Sequence, residues 1–151
     1  MNNTYKITTK SDEETIEVAQ NLESEKFPNM VICLNGDLGS GKTVFTKGFA
    51  SAMAIEDVTS PTFNIIKEYI GELPLYHIDV YRTNGKIDNL GIEEYFDKGG
   101  VTIIEWAEMI EDILPEERLD ITFKITGENS RIMVITPHGE KYLRVCEDAL
   151  W

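Results

Sequence analysis

Positive charge is what this chain of 151 residues has least of. Its 14 lysines and arginines face 27 aspartates and glutamates, a net charge of −13, and only four of the bases are arginine: Arg82, Arg118, Arg131 and Arg144. A phosphate backbone is gripped by clustered Lys and Arg, so the chain is expected to bind nucleic acid poorly and to suit a basic protein partner better. Two cysteines, Cys33 and Cys146, do not make a disulfide framework. Two histidines, His77 and His138, argue against a histidine metal site, and no serine–histidine–acid arrangement stands out. No apolar run is long enough to span a bilayer, so no membrane association is expected. The opening "MNNTYKITTKSDEETIEV" has no basic segment followed by an apolar core, so no secretory signal is expected. A reducing cytoplasm fits these absences.

What is present points to one folded domain over residues 1–151. The apolar fraction of 42% is ordinary for a packed core, and there is no repeat, low-complexity tract or linker. "TYKITT" reads as a strand. Ser11 with Glu14 three residues on is a capping box, and Ile16, Ala19 and Leu22 follow at helical spacing. "MVICLNG" has the continuous apolar character of a buried central strand. Phe45, Phe49, Ala52 and Met53 form the stripe of a packed helix. "FNIIKEY" and "LPLYHID" are strands joined only by "IGEL", too short for a parallel crossover, so they pair antiparallel and the sheet is mixed. "NLGIEEYF" reads as a short helix, "VTIIE" as a buried strand, and "WAEMIEDIL" as a helix closed by Pro115. "LDITFKI" and "RIMVIT" alternate around "TGENS" as a hairpin, to which "KYLRV" adds a third antiparallel strand. The expected fold is α/β, an α/β core with an antiparallel extension.

"GDLGSGKT" matches G-x-x-x-x-G-K-[ST] at every fixed position and lies between a strand and an amphipathic helix. That is the context in which this pattern is a phosphate loop. Glycines let backbone N–H groups turn inward around phosphate oxygens, and the helix N-terminus adds partial positive charge. Lys42 reaches toward the outer phosphates, and the Thr43 hydroxyl suits Mg²⁺. In "TSPTF", Thr62 is a candidate to sense the terminal phosphate, as switch loops do. The alternative is a Ser-Pro turn that starts a strand.

Two acids end apolar runs downstream, Asp79 in "LPLYHID" and Glu105 in "VTIIE". Ligands of open α/β sheets bind at the carboxyl ends of strands, where a carboxylate can serve metal or water. Either acid suits that place, and either can instead be a solvated strand end or a favourable charge at a helix start. His77 is read as a packed or bridging histidine. "TKSD", Thr9 to Asp12, resembles a guanine-reading motif, but it precedes the phosphate loop, and Ser11 is better explained as a cap.

Together, "GDLGSGKT", "SPTFNIIKEY", "LYHIDVYR" and "IEWAE", in this order and spacing, resemble the TsaE (YjeE) family of bacterial ATPases, over about residues 5–145. The resemblance implies a P-loop NTPase-like three-layer fold: a mixed central sheet, flanking helices and a C-terminal hairpin. It implies ATP and Mg²⁺ as cofactors, ATP hydrolysis that is weak without partners, and two partner proteins, TsaD and TsaB. With them such a subunit supports threonylcarbamoyladenosine formation at position 37 of tRNAs that read ANN codons. Hydrolysis would reset the complex between turnovers, and tRNA would be met only through the complex. Carried over by residue, Gly36, Asp37, Leu38, Gly39, Ser40, Gly41, Lys42 and Thr43 would hold the phosphates. Thr43 and Glu105 would hold Mg²⁺, and Asp79 would lie close to the terminal phosphate and its water, making Lys42, Asp79 and Glu105 the catalytic set. Thr62 would belong to a switch-like loop, Thr9 and Ser11 would border the adenine, and Arg131 would close the site from the hairpin. Trp106 would lie beside the nucleotide or a partner.

Two other classes compete. A small-molecule kinase needs cations to clamp the transferred phosphoryl group, and four scattered arginines do not make an Arg-rich lid. A non-catalytic switch, in which ATP binding alone gates assembly, has the same sequence as a slow ATPase.

Overall fold

The computed structural model describes residues 3–37, 39–56, 58, 65–83 and 90–150. Its frame is a seven-stranded mixed sheet. The strands are β1 (Tyr5–Thr9), β2 (Val31–Gly36), β3 (Ile66–Tyr69), β4 (Leu75–Asp79), β5 (Val101–Glu105), β6 (Arg118–Ile125) and β7 (Arg131–His138). Their order across the sheet is β1-β7-β6-β2-β5-β4-β3. Strand β2 lies between β5 and β6 and is parallel to both, and β4 is parallel to β5. The carboxyl ends of β2, β4 and β5 therefore meet at one edge, where Gly36, Asp79 and Glu105 end their strands.

Three helices, α1 (Asp12–Glu23), α2 (Lys42–Ala52) and α3 (Glu140–Ala149), cover one face of the sheet. Ala19 and Leu22, Phe45 and Phe49, and Tyr142 and Val145 pack there against Ile32, Leu34, Ile103 and Ile121. Phe45 and Phe49 are fully buried, and each contributes roughly 1.5–3 kcal/mol through burial. The opposite face, with Val31, Cys33, Ile78 and Ile104, is closed by short 3-10 segments that supply Ile92, Ala107 and Ile110. Alternate residues of β2 thus feed two cores, which is why "MVICLNG" shows no polar face.

Helix α1 starts as its sequence dictates. Ser11 Oγ accepts the Glu14 N–H at 3.2 Å, and the Glu14 carboxylate accepts the Lys10 N–H at 2.9 Å.

Two expectations are corrected. "KYLRV" is not a strand but part of α3. Tyr142, Val145 and Cys146 are buried at helical spacing, and Gly139 at φ 102° turns the chain out of β7. The third strand of the antiparallel edge is instead β1, paired to β7. "WAEMIEDIL" forms 3-10 turns over Ala107–Ile113 with a break at Ile110 (φ −129°, ψ 34°), not a regular helix. Only Ala107 and Ile110 of this short stretch are buried, which gives a long helix no face to pack. The hairpin's first strand, β6, also joins the parallel core directly through β2.

Candidate functional site

The loop after β2 is shaped for a group that lies against backbone. Gly36 has φ +138°, and a Cβ there would sit 2.7 Å from the Phe123 carbonyl oxygen and 2.9 Å from Ser40 Oγ. Gly41, at φ +116°, starts α2 directly beneath the Arg131 guanidinium. Both positions favour glycine for conformation, and at Gly36 the Phe123 backbone leaves no space for a side chain. Ser40 Oγ is buried without a partner among the described residues. A cradle too tight for a Cβ, an orphaned hydroxyl and a helix N-terminus together fit phosphate oxygens.

Lys42 is buried and turned back on this loop. Its ammonium donates to the carbonyl oxygens of Gly36 at 2.5 Å and Asp37 at 2.9 Å. The Trp106 ring lies over it, 4.0 Å from centroid to Nζ, a cation–π contact. Burial pushes the Lys42 pKa down, while Glu105, Glu108, Asp79 and Asp37 oppose that shift. Among the described residues Lys42 is thus a buried cation hydrogen-bonded to backbone carbonyls and surrounded by carboxylates, an arrangement that suits an incoming anion.

The two acids of the sequence come together. Asp79 and Glu105 are register partners on β4 and β5. Glu105 is buried, and its Oε1 accepts the Thr43 hydroxyl at 3.3 Å. A hydroxyl and a carboxylate are the hard oxygen donors that Mg²⁺ takes, usually with phosphates completing the shell rather than an all-protein cage. The Thr43–Glu105 pair fits that requirement. Asp79 Oδ1 accepts the Tyr81 N–H at 3.0 Å. Burial raises the Asp79 pKa, the Tyr81 N–H counters this, and the Glu105 charge adds to the rise. Burial likewise raises the Glu108 pKa.

The remaining candidates are placed less directly. Thr9 is buried, and its hydroxyl pairs with Thr15 Oγ1 at 2.8 Å. Ser11 caps α1. Arg131, the register partner of Thr9, reaches from this segment to the loop: its Nη2 donates to Asp12 at 2.8 Å, and its buried Nη1, with no partner among the described residues, lies over Gly41. "TKSD" is thus engaged in capping α1 and binding Arg131. Leu38 and the Thr59–Phe63 segment with Thr62 lie outside the described residues.

Sequence reasoning missed three contacts. His77 Nε2 meets Glu105 Oε2 at 2.5 Å. Tyr81, 41% exposed, stacks on Trp106 with centroids 4.6 Å apart. Asn35 Oδ1 accepts the Glu108 N–H at 3.0 Å, which helps hold Trp106 at a left-handed φ of 64°. The one available signal was His77 itself, the polar break in an otherwise apolar strand.

Comparison with known proteins places the chain in a family. The family described as "Threonylcarbamoyl adenosine biosynthesis protein TsaE" matches residues 9–133. The tRNA threonylcarbamoyladenosine biosynthesis protein TsaE of Bacillus subtilis is 48% identical over 142 residues, 93% of this chain and 90% of that protein. The protein of the same name from Rickettsia bellii is 36% identical over 131 residues, 83% of this chain and 90% of its own. The crystal structure of Bacillus subtilis YdiB superposes with a TM-score of 0.87 at 44% identity, covering 99% of this chain and 95% of that one. With the family match spanning most of the sequence and the fold shared end to end, the chain belongs to the TsaE family.

Proposed function

We propose that this protein binds ATP with Mg²⁺ on the Gly36–Thr43 loop and hydrolyses it slowly, in support of tRNA threonylcarbamoyladenosine formation. The names of its relatives place them in that biosynthesis. In this reading TsaD and TsaB are the partners, and hydrolysis resets their complex between turnovers.

The observation that carries the proposal is the meeting of Thr43, Glu105 and Asp79 at one sheet edge beside Lys42. Backbone N–H groups of the loop and the start of α2 bind phosphate oxygens. Lys42 leaves the carbonyls of Gly36 and Asp37 to face the outer phosphates. Thr43 and Glu105 hold Mg²⁺, which when bound neutralises charge on the phosphates. Asp79 orients the attacking water, and its raised pKa brings it nearer to accepting a proton. Trp106, stacked on Tyr81, shields the lysine from solvent. Arg131 adds a cation from the hairpin side.

ATP turnover measured with and without TsaD and TsaB tests this. Slow hydrolysis alone that rises with the partners is the expected result. Nucleotide binding without turnover in either case would replace the ATPase by an assembly switch, and phosphoryl transfer to a small molecule would replace it by a kinase.

A further inference from the structure

His77 lies in the middle of β4, fully buried, with Lys67 and Ile103 as its register partners. An aliphatic residue would fill this place at less cost. A buried imidazole loses its hydration, and here Nδ1 finds no partner among the described residues. Among the described residues, the hydrogen bond the ring gains is Nε2 to Glu105 Oε2 at 2.5 Å. The other oxygen of the same carboxylate, Oε1, accepts from the Thr43 hydroxyl. Glu105 is therefore held at both oxygens, one by a side chain from the neighbouring strand and one by the first turn of α2.

The terminal torsion of a glutamate is broad and intrinsically undirected, so a carboxylate that must present one oxygen to a cation needs its other oxygen fixed. Partners of this kind orient metal ligands and contribute strongly to metal affinity. We propose that His77 is a positioning residue: by donating from Nε2 to Glu105 Oε2 it fixes the carboxylate with Oε1 on the Thr43 side, where the metal of the nucleotide complex is held. This rests on the reading of the site as an Mg²⁺–ATP site. Asp79, two residues further along β4, faces the same edge. One strand thus supplies both an acid for the reaction and the group that aims the acid of the neighbouring strand.

The test uses the full chain and the non-hydrolysable analogue AMP-PNP. Calorimetry gives its Kd with Mg²⁺ and again in EDTA, and the ratio of the two measures how strongly metal supports binding. His77→Leu removes the donor, and His77→Gln keeps an N–H within reach of Glu105. The expected result is that His77→Leu lowers the ratio about tenfold or more with the Kd in EDTA unchanged, while His77→Gln stays within about threefold of the native ratio. If His77→Leu does not fold, His77→Asn replaces it, since its shorter amide does not span to Glu105, with the same expectation. A folded Leu or Asn variant with the native ratio would overturn the positioning role and leave the site reading standing. A native protein that fails to bind AMP-PNP, or binds it equally with and without Mg²⁺, would overturn the site reading and this inference with it.

Discussion

Asp79 and Glu105 sit side by side as register partners at the ends of two adjacent parallel strands, one half-buried and one buried. Their roles should separate on mutation. Asp79→Asn is expected to keep ATP binding and lose most turnover. Glu105→Gln is expected to weaken binding chiefly when Mg²⁺ is present. Turnover with the partner proteins and calorimetry with and without Mg²⁺ check both, and native behaviour of both variants would remove them from the mechanism.

The Asp79 carboxyl also has a pH signature. Its folded pKa is raised, by burial first, so between the ordinary carboxylate pKa and the raised value the folded state binds more proton than the unfolded state. Stability from this group is present below the ordinary carboxylate pKa and is lost as pH rises through the raised value. At neutral pH the ionised group therefore opposes folding, weakly because it is partly solvated. Asp79→Asn, whose amide oxygen still accepts the Tyr81 N–H, should raise the Tm at pH 7.5 by about 1–3 °C. The gain should vanish in acid.

Gly36→Ala should cost stability as well as nucleotide binding. The new methyl meets the Phe123 carbonyl at 2.7 Å, on a backbone at φ +138°. Strain and overpacking of this kind cost about 2–4 kcal/mol, visible as a lower denaturation midpoint with an unchanged slope.

Tyr142 anchors α3 to the central strand, its hydroxyl accepting the Val31 N–H at 2.8 Å. Tyr142→Phe leaves that buried N–H unpaired and should cost about 1–3 kcal/mol. Burial pushes the hydroxyl pKa up to about 12, above its ordinary value of about 10. The native protein should therefore lose stability between those two pH values, and the Phe variant should lack this component in an alkaline titration.

These contacts mark how far the sequence could be read. Gly36, Gly41, Lys42 and Thr43 are legible because the phosphate loop is local: spacing along one turn determines its shape. The ends of β4 and β5 are legible because buried parallel strands leave long apolar runs. The contact between His77 and Glu105 is not, since it depends on the register of β4 against β5, which no local pattern encodes. "KYLRV" misleads as a strand because five residues are too few to show the helical spacing of Tyr142, Val145 and Cys146. "WAEMIEDIL" has helix-forming residues, but tertiary packing allows it only 3-10 turns.

The net charge of −13 carries a prediction for assembly. If an acidic surface docks on a basic face of TsaD or TsaB, the complex should weaken steadily as salt rises from 0.05 to about 0.5 M, where the Debye length falls below about 5 Å. Salt-independent assembly, read by analytical ultracentrifugation, would show that the interface is not electrostatic.

The central claim is that the Gly36–Thr43 loop is a nucleotide site with Lys42 as its cation. Calorimetric titration of Mg²⁺–ATP into the native protein and into Lys42→Ala tests it most directly. Charge-assisted hydrogen bonds are worth about 1.5–3 kcal/mol each, so losing the ammonium should weaken binding by about 100-fold or abolish it, with the fold intact by circular dichroism. Undiminished affinity in the folded variant would contradict the account.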